Sequence, residues 1–296
     1  MLQESVKSTA SVQTRAQAVT GRPRIRFGTV SLHLVLILGA IIMGMPFIWM
    51  VLTSLKDFQQ AFAYPPTWIP NPIVWSNYPA SLTALPFGLA YFNSAYITLT
   101  VVVVQLITCS MAGYAFARLR FPGNDLVFLL FLAMMMVPGQ VTIIPLFIML
   151  RDFGWVNTHL SIIVPPALLN AFGVFLMRQF VRALPIELEE AAIVDGANRW
   201  TIFWRVILPL LRAPLAALGI LSFLAQWNNF FIPLIMLNSP NLFTVPLLLN
   251  EFRSEYTTQW TLMMAGGVIA VLPVLIIYIF GQRQFISGIA MTGLKA

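Results

Sequence analysis

The chain has 296 residues, of which 59% are hydrophobic and only 9% are charged. Soluble globular proteins carry about 25% charged residues, so this composition excludes an ordinary soluble enzyme, and the high hydrophobic content excludes a disordered chain. The net charge of +7 would favour nucleic acid as the partner of a soluble protein. In a membrane protein it indicates basic cytoplasmic loops, so we expect an integral membrane protein that contacts lipid and binds no nucleic acid.

Six apolar stretches are long enough to cross a membrane as helices, which takes about 20 residues each. The predicted spans lie near residues 29–53, 92–116, 127–150, 160–181, 211–237 and 261–281. Between the first two, residues 56–90 hold six prolines. Since proline cannot continue a helix, we expect a loop there. The predicted fold class is an all-α integral membrane protein with six transmembrane helices.

The distribution of the 17 lysines and arginines predicts the orientation. With a cytoplasmic N-terminus, 14 of them face the cytoplasm, and only Lys56, Arg151 and Arg253 face outward. This asymmetry obeys the positive-inside rule, so both termini are expected in the cytoplasm. Residues 1–26 form a polar tail that we expect to be disordered.

Sequence patterns of catalysis are missing. The chain has no G-x-S-x-G or H-E-x-x-H pattern, and none of its lysines follows a glycine as a phosphate-binding loop requires. The two histidines, His33 and His159, are far apart in the sequence. We therefore expect no catalytic residue, no metal site, no cofactor and no ATP hydrolysis in this chain.

The stretch between the fourth and fifth spans, residues 184–209, is predicted to form two short cytoplasmic helices joined by a bend at Gly196. It holds four of the ten acidic residues, namely Glu187, Glu189, Glu190 and Asp195. One interpretation is an amphipathic hairpin on lipid headgroups. An anionic membrane surface attracts basic residues instead, so a protein partner that pairs with the carboxylates explains them better.

The same stretch carries a specific motif. Glu190-Ala191-Ala192, then Gly196, then Val206-x-Leu208-Pro209 resembles the EAA motif of permease subunits in binding-protein-dependent ABC importers, with valine where the family commonly has isoleucine. The resemblance implies a coupling helix that docks into a groove of a cytoplasmic ATPase. Glu190 is expected to pair with a basic residue there, and the neighbouring Glu189 to matter less. The implied coupling residues are Glu189, Glu190, Ala191, Ala192, Asp195, Gly196, Leu208 and Pro209.

Two further stretches indicate which branch of this family the chain resembles. Residues 227–234 resemble the W-N-x-F-x-x-P-L segment of carbohydrate importers, and the C-terminal residues resemble the end of maltose-type permeases. The resemblance implies a type I importer permease in a bacterial or archaeal plasma membrane. The implied partners are a second, different permease subunit, two ATPase subunits that bind ATP and magnesium, and an extracytoplasmic sugar-binding protein. The implied domains are a first helix with outer loop (27–90), a permease domain (91–281) and a cytoplasmic tail (282–296).

For several polar residues, the sequence is compatible both with a role in transport and with a role in helix packing. Gln105 and Gln140 are expected to hold helices together, since interhelical amide hydrogen bonds do this in membranes. Candidates for the sugar pathway are Asn170, Trp227, Asn228 and Asn229. The predicted outer loop at 238–260 is long for a simple connection, and its candidate contacts to the binding protein are Asn250, Glu251, Arg253, Ser254, Glu255 and Tyr256. The alternatives are an importer of a non-carbohydrate solute and a membrane-embedded enzyme.

Overall fold

The computed structural model describes residues 27–253 and 258–293, with side chains for 31–253 and 258–282. Within these ranges the chain is helical, and the one strand-like pairing is an isolated antiparallel bridge between Arg253 and Thr258. The predicted all-α fold is confirmed. Predictions for residues 1–26 and 294–296 lie outside the described residues. The helices are α1 Phe27–Ser54, α2 Phe58–Ala61, α3 Asn77–Ala84, α4 Phe87–Arg118, α5 Asn124–Met134, α6 Ile143–Asp152, α7 Leu160–Leu168, α8 Ala171–Ala183, α9 Glu187–Val194, α10 Arg199–Ile202, α11 Leu208–Leu210, α12 Arg212–Trp227, α13 Phe231–Met236, α14 Val245–Asn250 and α15 Trp260–Gly293.

Four helical stretches of the described chain are long and apolar enough to cross a membrane. They are Ser31–Ser54, Phe87–Arg118, Leu160–Ala183 and Trp260–Gln282. A fifth candidate is the pair Arg199–Leu210 and Arg212–Trp227, whose axes differ by 77°. The chain divides after Ile48 into two compact units, so the first part of α1 belongs to one unit and all later helices to the other.

The predicted span at 127–150 is wrong as a single helix. α5 ends at Met134, α6 begins only at Ile143, and Pro138 and Gly139 lie between them. Proline lacks an amide hydrogen and its ring clashes with the carbonyl of the preceding turn, so Pro138 together with Gly139 favours a break here, whereas Pro46 and Pro273 are accommodated inside α1 and α15. Gln140 is exposed in this break and makes no hydrogen bond to another helix among the described residues, contrary to the role expected for it.

The predicted loop at 56–90 contains more helix than its prolines indicated. α2 and α3 lie within it, and α4 begins at Phe87 rather than near residue 92. Pro79 is in the first turn of α3, where the missing amide hydrogen costs no helical hydrogen bond. The Asn77 amide holds α3 in place, because its Nδ2 donates to the carbonyl oxygens of Ser54 at 2.8 Å and Lys56 at 2.7 Å.

The central contact of the larger unit is between α4 and α8, and two glycines make it possible. A methyl group on Gly113 of α4 would lie 2.5 Å from Cβ of Met177 and 2.8 Å from the backbone nitrogen of Arg178. A methyl group on Gly173 of α8 would lie 2.6 Å from the Cys109 sulfur. Small residues allow helix backbones in membranes to approach this closely.

Polar side chains of α4 satisfy the backbone where α7 gives way to α8. Gln105 Nε2 donates to the Pro166 carbonyl at 2.6 Å, and Thr108 Oγ1 donates to the Ala167 carbonyl at 3.1 Å. These carbonyls are near the end of α7, beyond which the helix cannot supply an amide partner. A backbone carbonyl without a hydrogen bond is energetically costly in lipid. These two bonds therefore stabilise the break between α7 and α8. The structural role predicted for Gln105 is confirmed.

Two clusters of buried apolar side chains form the core of the larger unit. The first lies between α4, α7, α14 and the start of α15, and includes Phe87, Ile97, Val101, Ile162, Val245 and Leu248. The second, here called the coupling-end cluster, includes Cys109, Tyr114, Val174, Met177, Val181, Ile202, Phe203, Ile207, Leu211 and Leu218. It joins α4 and α8 to the second part of the segment that carries the EAA-like motif, through Ile202, Phe203 and Ile207.

We expect Gly113→Ala to destabilise the protein by about 1–3 kcal/mol, because the added methyl group overpacks the α4–α8 contact and its nearest neighbours include backbone. Gly88→Ala is the matched control, since Gly88 lies in the same helix with open space around its Cβ position. Thermal unfolding in detergent should show a lower melting temperature for Gly113→Ala only. Equal melting temperatures would show that α4 and α8 can separate at little cost.

Candidate functional site

The segment predicted to couple to a partner consists of two helical parts separated by a tight turn. α9 ends at Val194, and Gly196 has a φ of 82°, in the left-handed region that glycine adopts without steric cost. The Gly196 amide bonds to the Ile193 carbonyl and the Ala197 amide to the Ala192 carbonyl, both at 2.9 Å. This pair of bonds is a Schellman motif, which ends the helix and reverses the chain.

The second part is anchored in the core. Asn198 starts α10 by accepting a hydrogen bond from the Thr201 amide through its side-chain oxygen at 2.8 Å. A π-helical turn, Phe203–Ile207, follows, and the Leu208 amide bonds back to the Phe203 carbonyl. Pro209 has no amide hydrogen, so it cannot donate the α-helical bond to the Arg205 carbonyl. The π-helical turn lies directly before this missing bond. The sequence prediction of a plain helix missed it.

Glu189 points into the protein and is 1% exposed. Its Oε1 lies 2.7 Å from Nε of Arg118 at the end of α4, and its Oε2 accepts a hydrogen bond from the Tyr114 hydroxyl at 3.2 Å. Arg199 approaches the same oxygen at 3.9 Å. The N–H direction at Arg118 Nε does not point at Glu189 Oε1, so this short contact is an ion pair held by Coulomb attraction rather than a hydrogen bond. Glu189 therefore joins α9 to α4.

Glu189, included among the coupling residues that the resemblance implies, does not lie on the exposed surface of α9. A buried carboxylate whose partners are Arg118, Tyr114 and Arg199 of the same chain is not part of an exposed docking surface. Tyr114 and Arg118 were missed by the sequence analysis. The only sequence signal for them was an arginine directly at the end of a predicted span, which the positive-inside rule already explains.

The outer surface of α9 combines carboxylates with apolar side chains. Glu187, Glu190 and Asp195 are exposed, and Val194 is 87% exposed. The motif residue Ala191 is also exposed, and the apolar side chains of Leu188 and Ile193 extend this surface. An exposed patch of apolar groups bordered by charges is typical of a site that binds another protein. The remaining motif residues are more varied: Ala192 and Leu208 are half-buried, and Pro209 is exposed.

The candidates for the sugar pathway have local structural roles in this conformation. Trp227 is 4% exposed, and its indole nitrogen donates to the Ala270 carbonyl at 3.0 Å. Asn170 caps α8 by accepting from the Gly173 amide at 2.8 Å. Asn228 donates to the Leu224 carbonyl at 2.9 Å, and Asn229 accepts from the Ile232 amide at 3.4 Å. Of these four, Asn228 alone is exposed.

The predicted outer loop at 238–260 is more ordered than a solvated connection. α14 lies within it, and Val245, Leu247 and Leu248 are buried in the first core cluster. Glu251 and Arg253 are exposed, and Asn250 is half-buried. The candidate contacts Ser254, Glu255 and Tyr256 lie outside the described residues.

Among the residues the structure describes, no three histidine, cysteine, aspartate or glutamate side chains come together as metal ligands. What the geometry does define is a class of protein. It is a membrane-spanning helical subunit with a core-anchored helix that presents an acidic and apolar surface at one end. This arrangement suits a transport subunit that receives force from another protein.

Comparison with known proteins agrees with this class. Residues 105–290 match the family described as binding-protein-dependent transport system inner membrane component. The chain is 39% identical over 203 residues to the arabinooligosaccharides transport system permease protein AraQ of Halalkalibacterium halodurans, covering 69% of this chain and 72% of that protein. It is 33% identical over 265 residues to the lactose transport system permease protein LacG of Rhizobium radiobacter, covering 90% and 96%.

A solved structure is also similar. One chain of a bacterial ABC transporter involved in the import of the acidic polysaccharide alginate matches with a TM-score of 0.78 and 26% identity, covering 88% of this chain and 96% of that one. The chain belongs to the family of inner membrane components of binding-protein-dependent transport systems, and is a multi-pass protein of the plasma membrane. The type I importer fold and the carbohydrate branch predicted from the sequence are confirmed at the level of the family.

We expect Glu189→Gln to loosen α9, because breaking a buried ion pair by removing one partner costs about 3–5 kcal/mol. Amide hydrogen exchange of residues 187–202 in the purified protein should accelerate on the order of 100-fold, the rate ratio that corresponds to the lower end of this range. Glu187→Gln is the matched control, since Glu187 is exposed on the same helix. Similar protection in both variants would mean that the Arg118 contact does not hold α9.

We expect Gly196→Val to disrupt the turn between α9 and α10, because a β-branched residue at this φ costs about 1–3 kcal/mol. Gly196→Asn should be tolerated far better, since asparagine adopts left-handed backbone more easily. Uptake by reconstituted transporter should fall sharply for the valine variant and remain for asparagine. Normal uptake with valine would show that the turn is not needed.

Proposed function

We propose that this chain is the permease subunit of an ABC importer for an oligosaccharide or a related carbohydrate. An extracytoplasmic binding protein delivers the sugar, and partner ATPase subunits supply the energy. The observation that carries the proposal is the exposed acidic and apolar surface of α9, built on an EAA-like motif in a chain of this family. The named substrates of the relatives, arabinooligosaccharides and lactose, support the carbohydrate class.

We propose that the exposed surface of α9 faces the cytoplasm, together with both termini. The excess of basic residues assigned to that side supports this orientation. Two ATPase subunits would then bind ATP and magnesium, since this chain has no phosphate-binding loop sequence and is expected to hold no cofactor of its own. A second, different permease subunit would complete the pathway. The exposed apolar residues around the break between α5 and α6 offer it a contact surface.

The proposed mechanism is alternating access. Closure of the ATPase pair moves α9, and two connections carry this motion into the membrane. Glu189 links α9 to Arg118 on α4, and Ile202 and Ile207 are fully buried against α4 and α8 in the coupling-end cluster. Because these helices pack without room for a methyl group at Gly113, they would move as one body rather than bend.

On the opposite side, the segment from α14 to Thr258 is the proposed contact for the binding protein. Glu251 and Arg253 are exposed charges next to a helix whose apolar side chains are buried, so α14 is held in the core while the charges that follow it, up to Arg253, stay accessible. Asn228, the exposed member of the pathway candidates, is the residue we propose to be available for hydrogen bonds to the sugar in this conformation.

The test is reconstitution of the complete transporter in liposomes with its binding protein. We expect sugar-loaded binding protein to stimulate ATP hydrolysis, and uptake of labelled oligosaccharide to require ATP on the side of α9. A panel of peptides and phosphate should not be taken up. Uptake of such a solute in place of sugar would overturn the carbohydrate assignment, and ATP hydrolysis by this chain alone would overturn the division of roles.

We expect Glu190→Ala to weaken assembly with the ATPase or to uncouple hydrolysis from uptake, since losing one partner of a desolvated interfacial charge pair costs about 2–5 kcal/mol. Asp152→Ala is the matched control, because Asp152 is an exposed carboxylate on α6, outside α9 and its turn. Co-purification of the ATPase and sugar uptake should be measured together. Wild-type values for Glu190→Ala would remove Glu190 from the interface.

A further inference from the structure

A polar cavity of about 510 Å³ lies where α4, the loop after it, α5 and α8 meet. Asn124 and Asp125, the first two residues of α5, form one wall. The cavity is lined by four arginines: Arg118, Arg120, Arg178 and Arg182. Asp125 is the only carboxylate in the lining, so the cavity carries a large positive excess.

Two of the arginines are held by the fold. Arg118 pairs with Glu189 and donates to the Leu184 carbonyl at 2.6 Å. Arg178 is 7% exposed, donates from Nε to the Phe116 carbonyl at 3.2 Å, and lies 3.7 Å from the ring centroid of Phe128. These contacts fix both guanidinium groups in the wall of the cavity.

The other two arginines have no such partners. Arg120 and Arg182 are exposed and make no hydrogen bond or ion pair with any residue that the structure describes. Asp125 compensates little, because its carboxylate is 99% exposed and lies 3.9 Å from Arg178. Arg178 and Arg182 are also one turn apart on α8, a spacing at which like charges destabilise a helix. An anion in the cavity would relieve this repulsion and pair with both free guanidinium groups.

The surroundings of the cavity indicate which anion. It lies at the end of spanning helices, and α5 leads away from it with Leu126, Leu129 and Leu130 exposed. A ligand that has a phosphate and long apolar chains would satisfy both surfaces together. Arginine binds phosphate through paired hydrogen bonds, and basic pockets between transmembrane helices bind anionic headgroups.

We propose that this cavity binds the headgroup of an anionic phospholipid, whose acyl chains lie along the apolar side of α5. The phosphate contacts Arg120 and Arg182 from the open side and Arg178 from the wall. The site goes beyond the transport function proposed above. It requires only that the chain lies in a membrane that contains such lipids.

The test measures lipid binding to the purified transporter in neutral detergent by native mass spectrometry, with phosphatidylglycerol and with phosphatidylcholine of the same chains. The variant is Arg120→Gln/Arg182→Gln, and the matched control is Arg205→Gln/Arg212→Gln, which removes two exposed arginines outside the cavity. We expect wild type to retain phosphatidylglycerol selectively. The cavity variant should bind it at least about tenfold more weakly, and the control should resemble wild type.

Thermal unfolding provides a second measurement. Added phosphatidylglycerol should raise the melting temperature of wild type and of the control, but not of the cavity variant. Without lipid, the cavity variant should be at least as stable as wild type, because one repulsion on α8 is removed.

Three results would overturn the proposal. Equal weakening in both variants would indicate attraction to general surface charge. Displacement of the lipid by an equal concentration of inorganic phosphate would indicate a site for small anions. Unchanged lipid binding with loss of the ATPase subunits from the cavity variant would indicate a protein contact. None of these results depends on whether the transporter carries sugar, so a failure here is distinct from a failure of the proposed function.

Discussion

The close contact between α4 and α8 is the constraint on which the rest of the larger unit depends. Gly113 and Gly173 let the two backbones approach to a distance that any side chain would prevent. At this distance Gln105 reaches the Pro166 carbonyl, and the Arg178 guanidinium reaches the Phe116 carbonyl. In a membrane no water is available to replace such bonds. The helices must therefore pack closely enough for these side chains to reach backbone carbonyl groups on neighbouring helices.

The segment with the EAA-like motif, residues 184–209, extends this contact to the surface. A buried ion pair adds little net stability, because desolvation of both charges offsets their attraction. The pair between Glu189 and Arg118 instead fixes the rotation of α9 about its own axis. Successive residues of a helix differ by about 100°, so holding Glu189 inward turns Glu190 away from the core, and Glu190 is exposed. An internal contact thus determines which carboxylate is available to a partner, and the π-helical turn at Phe203–Ile207 connects the same segment to α12.

Sequence reasoning was weakest for polar residues inside spans, because an amide or indole can serve a ligand or a neighbouring backbone equally well. Gln105, predicted to be structural, is structural, whereas Gln140 is exposed at a helix break. Trp227 belongs to a segment typical of carbohydrate importers, yet its indole is buried and bonded to Ala270. Similarly, proline content predicted a loop at 56–90 but did not show that Pro79 lies in the first turn of a helix. The role of each side chain depends on which groups from distant parts of the sequence lie within hydrogen-bond distance of it.

The sequence by itself determined the membrane class, the all-α fold and the family, and located the segment with the EAA-like motif, because composition, hydropathy and this motif are local properties of the chain. The tertiary structure alone decided which glutamate of α9 is buried, which glycines bring helices together and which arginines share a cavity. Arg118 and Glu189 are 71 residues apart, and Arg120 and Arg182 are 62 apart. Contacts over such separations arise only when α4 and α8 pack, and packing follows the summed fit of many side chains rather than any pattern along the sequence.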